Sequence, residues 1–555
     1  MNSIAPRAPR LMLLAAPLCL APLASAQLAG TIREGVDDGG HFGSPLANLG
    51  DLTGDGIDDF IVGEPNYGAL GDGRIAVYDG ATATLLFAAV GGTGEELGSS
   101  VAGVGDWNGD GTHDFAYAAP SWNGASNDRG AIYVASGVDG TVFRTFLRAT
   151  NQRLGDHLAA AGDLDGDKIQ ELLVGDPAAD ELLIYKSSGA LLVKINASGG
   201  DRFGYSPARL GDLDGDGVDE IAASARFYDD ARSGLTDCGR VLIFSGKTRA
   251  QLFSIRGLAN DDYFATRIAR LDDLDGDGTA DWAAGTYYAD PNGHSSGQVR
   301  VFSGKRGSTL WTLNGLVASE LYGIALDGLP DLNDDGVGDF AIGGPYGGTN
   351  GLGHFEVRNG QDGTLLWSRD GTTASLSANE ALGLGVLGGN FDGDGVGDLL
   401  VADPYCDRRA SLFLPWKELG TVQWWYGAPA YTSHYGSGLA GTFGTPQLSA
   451  LDKPILGATF DVALTNSRLA TTTALLLLGT SAINVPYKGG SLLVQADLAS
   501  IYFTLPSLGT VLTEDLPNDP TLNGLELFVQ VLEADPGAVK KISMTDGLKL
   551  HLGWG

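Results

Sequence analysis

Acidic side chains recur in this sequence in a nine-residue pattern, D-x-[DN]-x-D-G-x-x-[DE], that is repeated seven times with small departures. Carboxylates at positions one, three, five and nine of such a loop can converge on one point, and the main-chain carbonyl of position seven adds another oxygen. Oxygen ligands in that number suit Ca²⁺ better than Mg²⁺, which requires strict octahedral geometry and retains water. The alternative is a set of Asx-rich turns, but turns do not need carboxylates three or four at a time.

The expected metal ligands are the same five positions of each loop. In chain order they are Asp51, Thr53, Asp55, Ile57 and Asp59; Asp106, Asn108, Asp110, Thr112 and Asp114; Asp163, Asp165, Asp167, Ile169 and Glu171; Asp212, Asp214, Asp216, Val218 and Glu220; Asp273, Asp275, Asp277, Thr279 and Asp281; Asp331, Asn333, Asp335, Val337 and Asp339; and Asn390, Asp392, Asp394, Val396 and Asp398. The sequence therefore predicts up to seven Ca²⁺ sites.

The seven loops are unequal. Lys168 stands in the third loop where the other loops have the glycine of the sharp turn. A lysine at positive φ costs on the order of 1 kcal/mol, and its ammonium would lie near the metal. We therefore expect the site from Asp163 to Glu171 to be the weakest. The fourth and fifth loops, with four carboxylates each, should bind best.

Short β-strands must position these loops. Each loop lies in a repeat of about 57 residues, and every repeat has the same order of short strand-like segments and turns. An apolar run such as Phe60–Val62 follows the loop, an alternating strand such as Arg74–Tyr78 comes next, and a turn leads to a last strand such as Leu310–Leu313. Four strands in a repeat of this length make one blade of a β-propeller, and stacking the blades buries both faces of each sheet. We expect an all-β chain with a seven-bladed propeller over residues 27–425.

Two further features of each repeat carry a resemblance to a known family. Before the loop stand pairs such as Phe42-Gly43, Leu97-Gly98, Phe203-Gly204 and Tyr322-Gly323. After it stand Gly63-Glu64-Pro65, Ala118-Ala119-Pro120, Gly175-Asp176-Pro177 and Gly343-Gly344-Pro345. These units resemble the FG-GAP repeats of the integrin α-subunit propeller, which also occur in bacterial exported proteins. The resemblance covers residues 28–426, and the fourth and fifth repeats, which lack the proline, are its weaker members.

The resemblance implies that the calcium loops lie on the lower face of the propeller and that partners dock on the upper face. The loops after the GAP element would then form the upper face, and nearly all of them begin with an aromatic residue. These candidate ligand-binding residues are Tyr67, Trp122, Phe227, Tyr228, Tyr287, Tyr288, Tyr346 and Tyr405. Such rings can stack on sugars or hold a protein side chain. The alternative is that they wedge between the blades.

The closure of the ring has two solutions in the sequence. Residues 28–34 align with the last strand of a blade and would join the two ends of the propeller. Thr421–Trp425 could take the same place in the seventh blade. The sequence does not decide between them.

The remaining segments bear on location. Residues 1–26 have a basic start, a short apolar run and the small residues Ala24-Ser25-Ala26, which predicts a signal peptide cleaved after Ala26. No later segment is long and apolar enough for a membrane helix. Residues 426–555 alternate like strands of a β-sandwich-like domain. The net charge of −33 argues against binding to nucleic acid. We therefore expect a secreted or cell-surface protein.

The sequence singles out no catalytic residue. None of the seven histidines lies in a zinc signature, and no Gly-x-Ser-x-Gly elbow stands out. These observations favour a calcium-stabilised extracellular binding or adhesion protein that recognises a protein or a glycan. A polysaccharide-active hydrolase or lyase, and a purely structural cell-surface component, are the alternatives.

Overall fold

A computed structural model of the chain describes residues 33–552, with gaps at 38, 123–128, 149–152, 198, 333–334, 349–350, 372–380, 392–396, 409–416, 419–420, 426–430, 436–438, 441, 444, 451–458, 489, 497, 508, 517–524, 539 and 546. These residues form 41 β-strands and no α-helix, which confirms the all-β prediction. No helix among them is therefore long and apolar enough to cross a membrane. The predicted signal peptide, residues 1–26, lies outside the described residues.

The chain divides into two compact units, a propeller unit of residues 29–426 and a C-terminal unit that contains residues 427–555. Six blades of the propeller unit follow one another along the chain, each a four-stranded antiparallel sheet. Blade 1 has β2 (Leu46–Gly50), β3 (Asp59–Glu64), β4 (Arg74–Tyr78) and β5 (Leu85–Val90); blade 2 has β6 (Val101–Gly105), β7 (Asp114–Ala119), β8 (Ala131–Ala135) and β9 (Val142–Leu147); blade 3 has β10 (His157–Ala160), β11 (Leu172–Asp176), β12 (Glu181–Tyr185) and β13 (Leu191–Asn196). Blade 4 has β14 (Phe203–Gly211), β15 (Glu220–Ala225), β16 (Arg240–Phe244) and β17 (Gln251–Arg256); blade 5 has β18 (Arg267–Arg270), β19 (Trp282–Thr286), β20 (Gln298–Phe302) and β21 (Thr309–Asn314); blade 6 has β22 (Ala325–Gly328), β23 (Phe340–Gly344), β24 (His354–Arg358) and β25 (Leu365–Asp370).

The seventh blade closes the ring with strands from both ends of the unit. Its order is β26 (Gly385–Gly389), β27 (Asp398–Asp403), β30 (Thr421–Trp425) and β1 (Arg33–Glu34), and a small hairpin of β28 (Asp407–Arg408) and β29 (Lys417–Glu418) lies between β27 and β30 in the chain. Arg33 pairs with Val422 and Glu34 with Thr421. Both candidate strands are thus used: Thr421–Trp425 is the third strand, and the N-terminal strand takes the last place. The first strands of successive blades contact one another around the ring, and β26 contacts β2.

The hydrophobic core of the propeller lies between the blades. The second strands β3, β7 and β15 are buried along their whole length because each has a neighbouring blade on both sides. The last strands β5, β13 and β21 alternate between exposed and half-buried residues, as strands at the outer edge do. One core cluster joins Ile61 and Val77 of blade 1 to Phe115 and Tyr117 of blade 2. This explains why the second strand reads as a continuous apolar run.

The FG-GAP residues hold adjacent blades together through close backbone contacts. The N–H of Gly323 donates to the carbonyl of Gly343 in the same blade at 2.9 Å. A Cβ at Gly343 would lie 1.8 Å from the carbonyl oxygen of Gly383, which belongs to blade 7. The glycine of the GAP element therefore lets the backbone of one blade approach that of the next.

The C-terminal unit is also built only from strands in its described part. These are β31 (Tyr431–Tyr435), β32 (Leu448–Ala450), β33 (Thr459–Leu464), β34 (Thr472–Gly479), β35 (Ser481–Tyr487), β36 (Gly490–Gln495), β37 (Ala499–Leu505), β38 (Thr510–Asp515), β39 (Glu526–Ala534), β40 (Ile542–Met544) and β41 (Gly547–His551). One sheet has the order β31-β41-β39-β34-β37 with β40 beside β39, a second is β32-β33-β38, and a third is the hairpin β35-β36. Val494 of the hairpin packs on Leu477 and Phe528 of the largest sheet, so the unit has at least two layers.

Candidate functional site

Each acidic loop joins the first and second strands of a blade, and its first carboxylate organises the loop. In the first loop Asp51 Oδ1 accepts the N–H of Gly54 at 2.6 Å, and Oδ2 accepts that of Gly56 at 2.8 Å. Gly56 has a φ of 87°, which a glycine adopts without strain. Burial acts to raise the pKa of Asp51, but these N–H groups outweigh it and hold the pKa below its usual value. The carboxylate therefore stays ionised at the centre of the turn.

The carboxylate at position nine ties each loop to its blade. In the fifth loop Asp281 Oδ2 accepts the N–H of Leu274 at 2.9 Å, and Oδ1 accepts that of Gly304, in the turn between the third and fourth strands, at 2.8 Å. Asp59 and Asp339 bind the equivalent turns in the same way. Burial raises the pKa of Asp59 and Asp281 to about 6 and that of Asp339 to about 7. A buried carboxylate in this state is stabilised by a nearby positive charge.

The structure brings the acidic groups together most closely in the third, fourth and fifth loops. Oxygen atoms that lie within 4.8 Å of one another come from these sets: Asp163, Asp165, Asp167 and Glu171; Asp212, Asp214, Asp216 and Glu220; and Asp273, Asp275 and Asp281. No other group of three or more such ligands meets this distance in the part of the chain that the structure describes. Of the predicted ligands, Asn333, Asp392, Asp394 and Val396 lie outside the described residues.

The donor chemistry of these clusters fits a hard cation. Glu171 Oε1 in the third loop and Asp277 Oδ1 in the fifth are buried and have no hydrogen-bond partner. An unpaired buried carboxylate oxygen is costly unless a cation or donor reaches it. The main-chain N–H groups of Ile57, Thr112, Ile169, Val218 and Val337 donate to the carboxylate at position five, so these position-seven residues lie against the cluster.

Basic side chains already contact two of the clusters. In the third loop the ammonium of Lys186 forms a close ion pair with Asp165 and lies 3.9 Å from Asp167. In the fifth, Arg306 lies 2.7 Å from Asp275. Lys168 has the expected positive φ, 71°, but its exposed side chain forms no ion pair in the described part of the chain. The ammonium that competes for the third cluster is therefore that of Lys186, not that of Lys168.

The eight predicted upper-face aromatic residues lie in the loops between second and third strands, at the opposite ends of the blades from the acidic loops. Trp122 and Tyr228 pack in the clusters between blades, as the alternative interpretation expected. Tyr67 lies under the guanidinium of Arg74, and Tyr405 contacts the ring of His41. Tyr346 is 43% exposed and Tyr288 36%.

Phe227, Tyr287 and Tyr288 belong to a larger cluster around Arg226, at the upper ends of blades 4 and 5. The guanidinium carbon of Arg226 lies 4.8 Å from the ring centre of Tyr205, 5.1 Å from Phe227, 5.3 Å from Tyr263 and 6.0 Å from Tyr288. The rings also touch one another: Tyr263 contacts both Phe227 and Tyr288, and Tyr288 contacts Tyr287. We call Tyr205, Arg226, Phe227, Tyr263, Tyr287 and Tyr288 the Arg226 cluster.

The positive charge in this cluster has no acidic partner. Arg226 forms no ion pair or hydrogen bond with any described residue, and its buried Nε has no acceptor. His157 contacts the ring of Tyr205 at 4.1 Å. Burial, together with the charges of Arg267 and Arg226, lowers the pKa of His157 to about 3. Arg226 and Arg267 therefore act together on His157, although the negative charges of Asp237 and Asp261 also act on Tyr263.

Sequence reasoning missed Tyr205, Arg226 and Tyr263 because it considered only aromatic residues after the GAP element. One signal was available. Arg226 and Tyr287 stand six residues after position nine of their loops, which is the place of the GAP proline in the other five repeats. The two repeats that depart from the family pattern are adjacent, and their departing residues meet at this cluster.

The closed ring of seven four-stranded antiparallel blades defines a β-propeller. The sequence profile of the FG-GAP repeat matches residues 42–78, and that of the FG-GAP-like repeat matches residues 163–223. The chain therefore contains FG-GAP repeats, as its motifs predicted, and is similar to integrin α-subunits.

Curated relatives are integrin α-subunits. The chain is 33% identical to integrin alpha-PS2 of Drosophila melanogaster over 133 residues, 22% of this chain and 9% of the relative. It is 28% identical to integrin alpha-4 of Xenopus laevis over 174 residues, 28% of this chain and 16% of the relative. The match thus spans less than a fifth of these relatives. Among solved structures, the V. cholerae biofilm matrix protein Bap1 is 16% identical with a TM-score of 0.34, over 82% of this chain and 66% of that one.

Proposed function

We propose that this chain is an exported binding or adhesion protein that recognises a protein or a glycan with the upper face of its propeller. The observation that carries the proposal is the division of chemistry between the two ends of the blades. Acidic oxygens are gathered in the loops between first and second strands, whereas exposed tyrosines and Arg226, which has no ion pair among the described residues, lie at the opposite ends. The similarity to integrin α-subunits supports an extracellular role of this kind.

Calcium in the acidic loops would stabilise this propeller. The residues that would hold it are the carboxylates at positions one, three, five and nine and the carbonyl at position seven. The ion would supply positive charge to buried oxygens such as Glu171 Oε1 and Asp277 Oδ1, which no protein donor reaches. The domain boundaries proposed here are those that the sequence predicts. Residues 1–26 are a leader that is cleaved off, and the mature protein consists of the propeller, residues 27–425, and a separate domain, residues 426–555.

A glycan array probed with the purified chain, with and without Ca²⁺, tests the proposal. We expect binding without turnover that is lost when Ca²⁺ is chelated. Tyr288→Ala and Tyr346→Ala should weaken binding, because both side chains are exposed on the upper face. Tyr502→Ala is the matched control, since Tyr502 is 74% exposed in the C-terminal unit. Release of cleaved product would favour a hydrolase or lyase, and ordered self-assembly without binding would favour a structural component.

A further inference from the structure

We propose that the Arg226 cluster is a binding site for an acidic sugar, in which Arg226 pairs with the carboxylate of a uronic acid and the surrounding tyrosines stack on the sugar ring. This inference rests on the proposed function and gives it a ligand class. It places the specificity of the upper face at blades 4 and 5. No family motif marks this place, because the cluster is built where two repeats have lost theirs.

The environment of Arg226 differs from that of the arginines that pack on rings elsewhere in the propeller. Arg240 lies 3.9 Å from the ring centre of Tyr228 and 3.6 Å from a carboxylate oxygen of Asp201. Arg300 lies 3.9 Å from Phe264 and donates to a main-chain carbonyl at 2.8 Å. Each of these two guanidinium groups therefore has an oxygen partner within the fold, although the Nε of each is buried without an acceptor among the described residues. Arg226 has four rings around it but no oxygen acceptor among the described residues, and a guanidinium presents five donors.

A second guanidinium extends the positive region. Arg267 begins β18 and is exposed, and the N–H of the next residue, Ile268, donates to Ser206 Oγ at 2.9 Å. This bond holds the start of β18 beside the segment that carries Tyr205, and Arg267 too forms no ion pair in the described part of the chain, although its charge acts on Asp327. The two arginines repel a proton from His157, whose pKa is low partly for that reason. A ligand that brings one negative charge would relieve this repulsion.

Ring faces and hydroxyl groups favour a sugar as the carrier of that charge. Four of the five rings in the cluster are tyrosines, which offer both a stacking face and a hydroxyl for sugar hydroxyl groups. The guanidinium fork matches a carboxylate with two parallel hydrogen bonds. A stable protein partner would bury about 800 Å² of each surface and would therefore need contacts well beyond these six residues. We therefore favour a uronate over an acidic side chain of a protein.

Titration calorimetry on the whole chain, with Ca²⁺ present and at near-physiological salt, tests the assignment. The ligands are a galacturonate trisaccharide and the neutral galactose trisaccharide with the same linkage. We expect the acidic sugar to bind at least about tenfold more tightly. Arg226→Met keeps the apolar stem and should remove that preference without changing affinity for the neutral sugar. Arg240→Met, on the same blade, is the control and should leave both affinities unchanged. A thermal melt shows whether each variant is folded.

The outcomes separate this inference from the broader proposal. Equal affinity for the two sugars, or unchanged uronate binding by Arg226→Met, overturns the inference. Binding of an aspartate-containing peptide but not of the uronate also overturns it, in favour of a protein ligand. If Arg226→Met does not fold, Arg267→Met replaces it, with loss of uronate preference expected and unchanged preference contradicting the assignment. Binding of acidic glycans on the array that is unchanged in the variant contradicts only the inference, whereas a wild-type chain that binds nothing on the array contradicts the proposed function itself.

Discussion

Carboxylates within one acidic loop have different tasks, and substitution can separate them. Asp281 accepts two main-chain N–H groups with its two oxygens, whereas Asp275 accepts one main-chain N–H and contacts the exposed guanidinium of Arg306. An asparagine in place of Asp281 leaves one buried N–H facing an amide N–H₂. We expect Asp281→Asn to lower the free energy of unfolding by about 1–3 kcal/mol even in EDTA.

The matched substitution Asp275→Asn removes a carboxylate metal ligand. The amide oxygen of the asparagine can still accept the main-chain N–H of Asp277, which Asp275 Oδ1 accepts in the wild-type chain. Its effect on the free energy of unfolding should be large in Ca²⁺ and small in EDTA, because an exposed ion pair contributes little. Denaturant unfolding of both variants under the two conditions makes the comparison. Equal losses for the two variants in EDTA would contradict the separate role of position nine.

Lys186 competes with a cation for the third loop. Its ammonium is in contact with Asp165 and near Asp167, so a bound Ca²⁺ must displace or repel it. We expect Lys186→Met to raise the Ca²⁺ affinity of this loop about two- to fivefold, a modest factor because the lysine is partly exposed. Tb³⁺ luminescence in competition with Ca²⁺ measures it. Lys194→Met, which removes a lysine paired with Glu181 in the same blade, is the control. No change in affinity would show that Lys186 moves aside without cost.

Individual strands show how far the sequence could predict the fold. The apolar run after each acidic loop predicted the buried second strand, because that run can pack only between two other sheets. The closing strand could not be chosen, since Arg33–Glu34 and Thr421–Trp425 both fit a blade edge by spacing, and the structure uses both. The Arg226 cluster was not predicted, because Tyr205, Arg226 and Tyr263 come from three separate segments that only the ring brings together.

The N-terminal strand β1 should stabilise the closed ring of blades. Arg33 and Glu34 pair with β30, so the last blade is completed by the first residues of the propeller unit. Deleting residues 27–34 exposes the edge of β30, and each lost ladder bond contributes about 1 kcal/mol. We expect a loss of about 2–4 kcal/mol and faster unfolding, measured by denaturant unfolding against a chain that lacks only residues 1–26. Identical unfolding of the two chains would show that the ring is held without β1.

The charge of the whole molecule connects the acidic loops to stability. The chain has 68 acidic and 35 basic residues, and 24 of its acidic side chains stand at positions one, three, five and nine of the seven loops. A Ca²⁺ ion in each loop would offset two negative charges and reduce the repulsion between the carboxylates of that loop. A site filled at 100 times its Kd contributes about 2.7 kcal/mol, so several sites together exceed the stability of an ordinary domain.

Removal of Ca²⁺ should therefore lower the Tm of the propeller by about 10 °C or more, because buried carboxylates such as Asp281 and Glu171 would be left without a counter-charge. Added NaCl should restore part of the loss in EDTA by screening the exposed acids, but not the part that comes from buried oxygens. Mg²⁺ should restore less than Ca²⁺, since it requires near-ideal octahedral geometry and gives up its water reluctantly. Calorimetric scans in Ca²⁺, EDTA, EDTA with NaCl, and Mg²⁺ separate these contributions. A Tm unchanged by excess EDTA would mean that the loops hold their shape through main-chain hydrogen bonds alone.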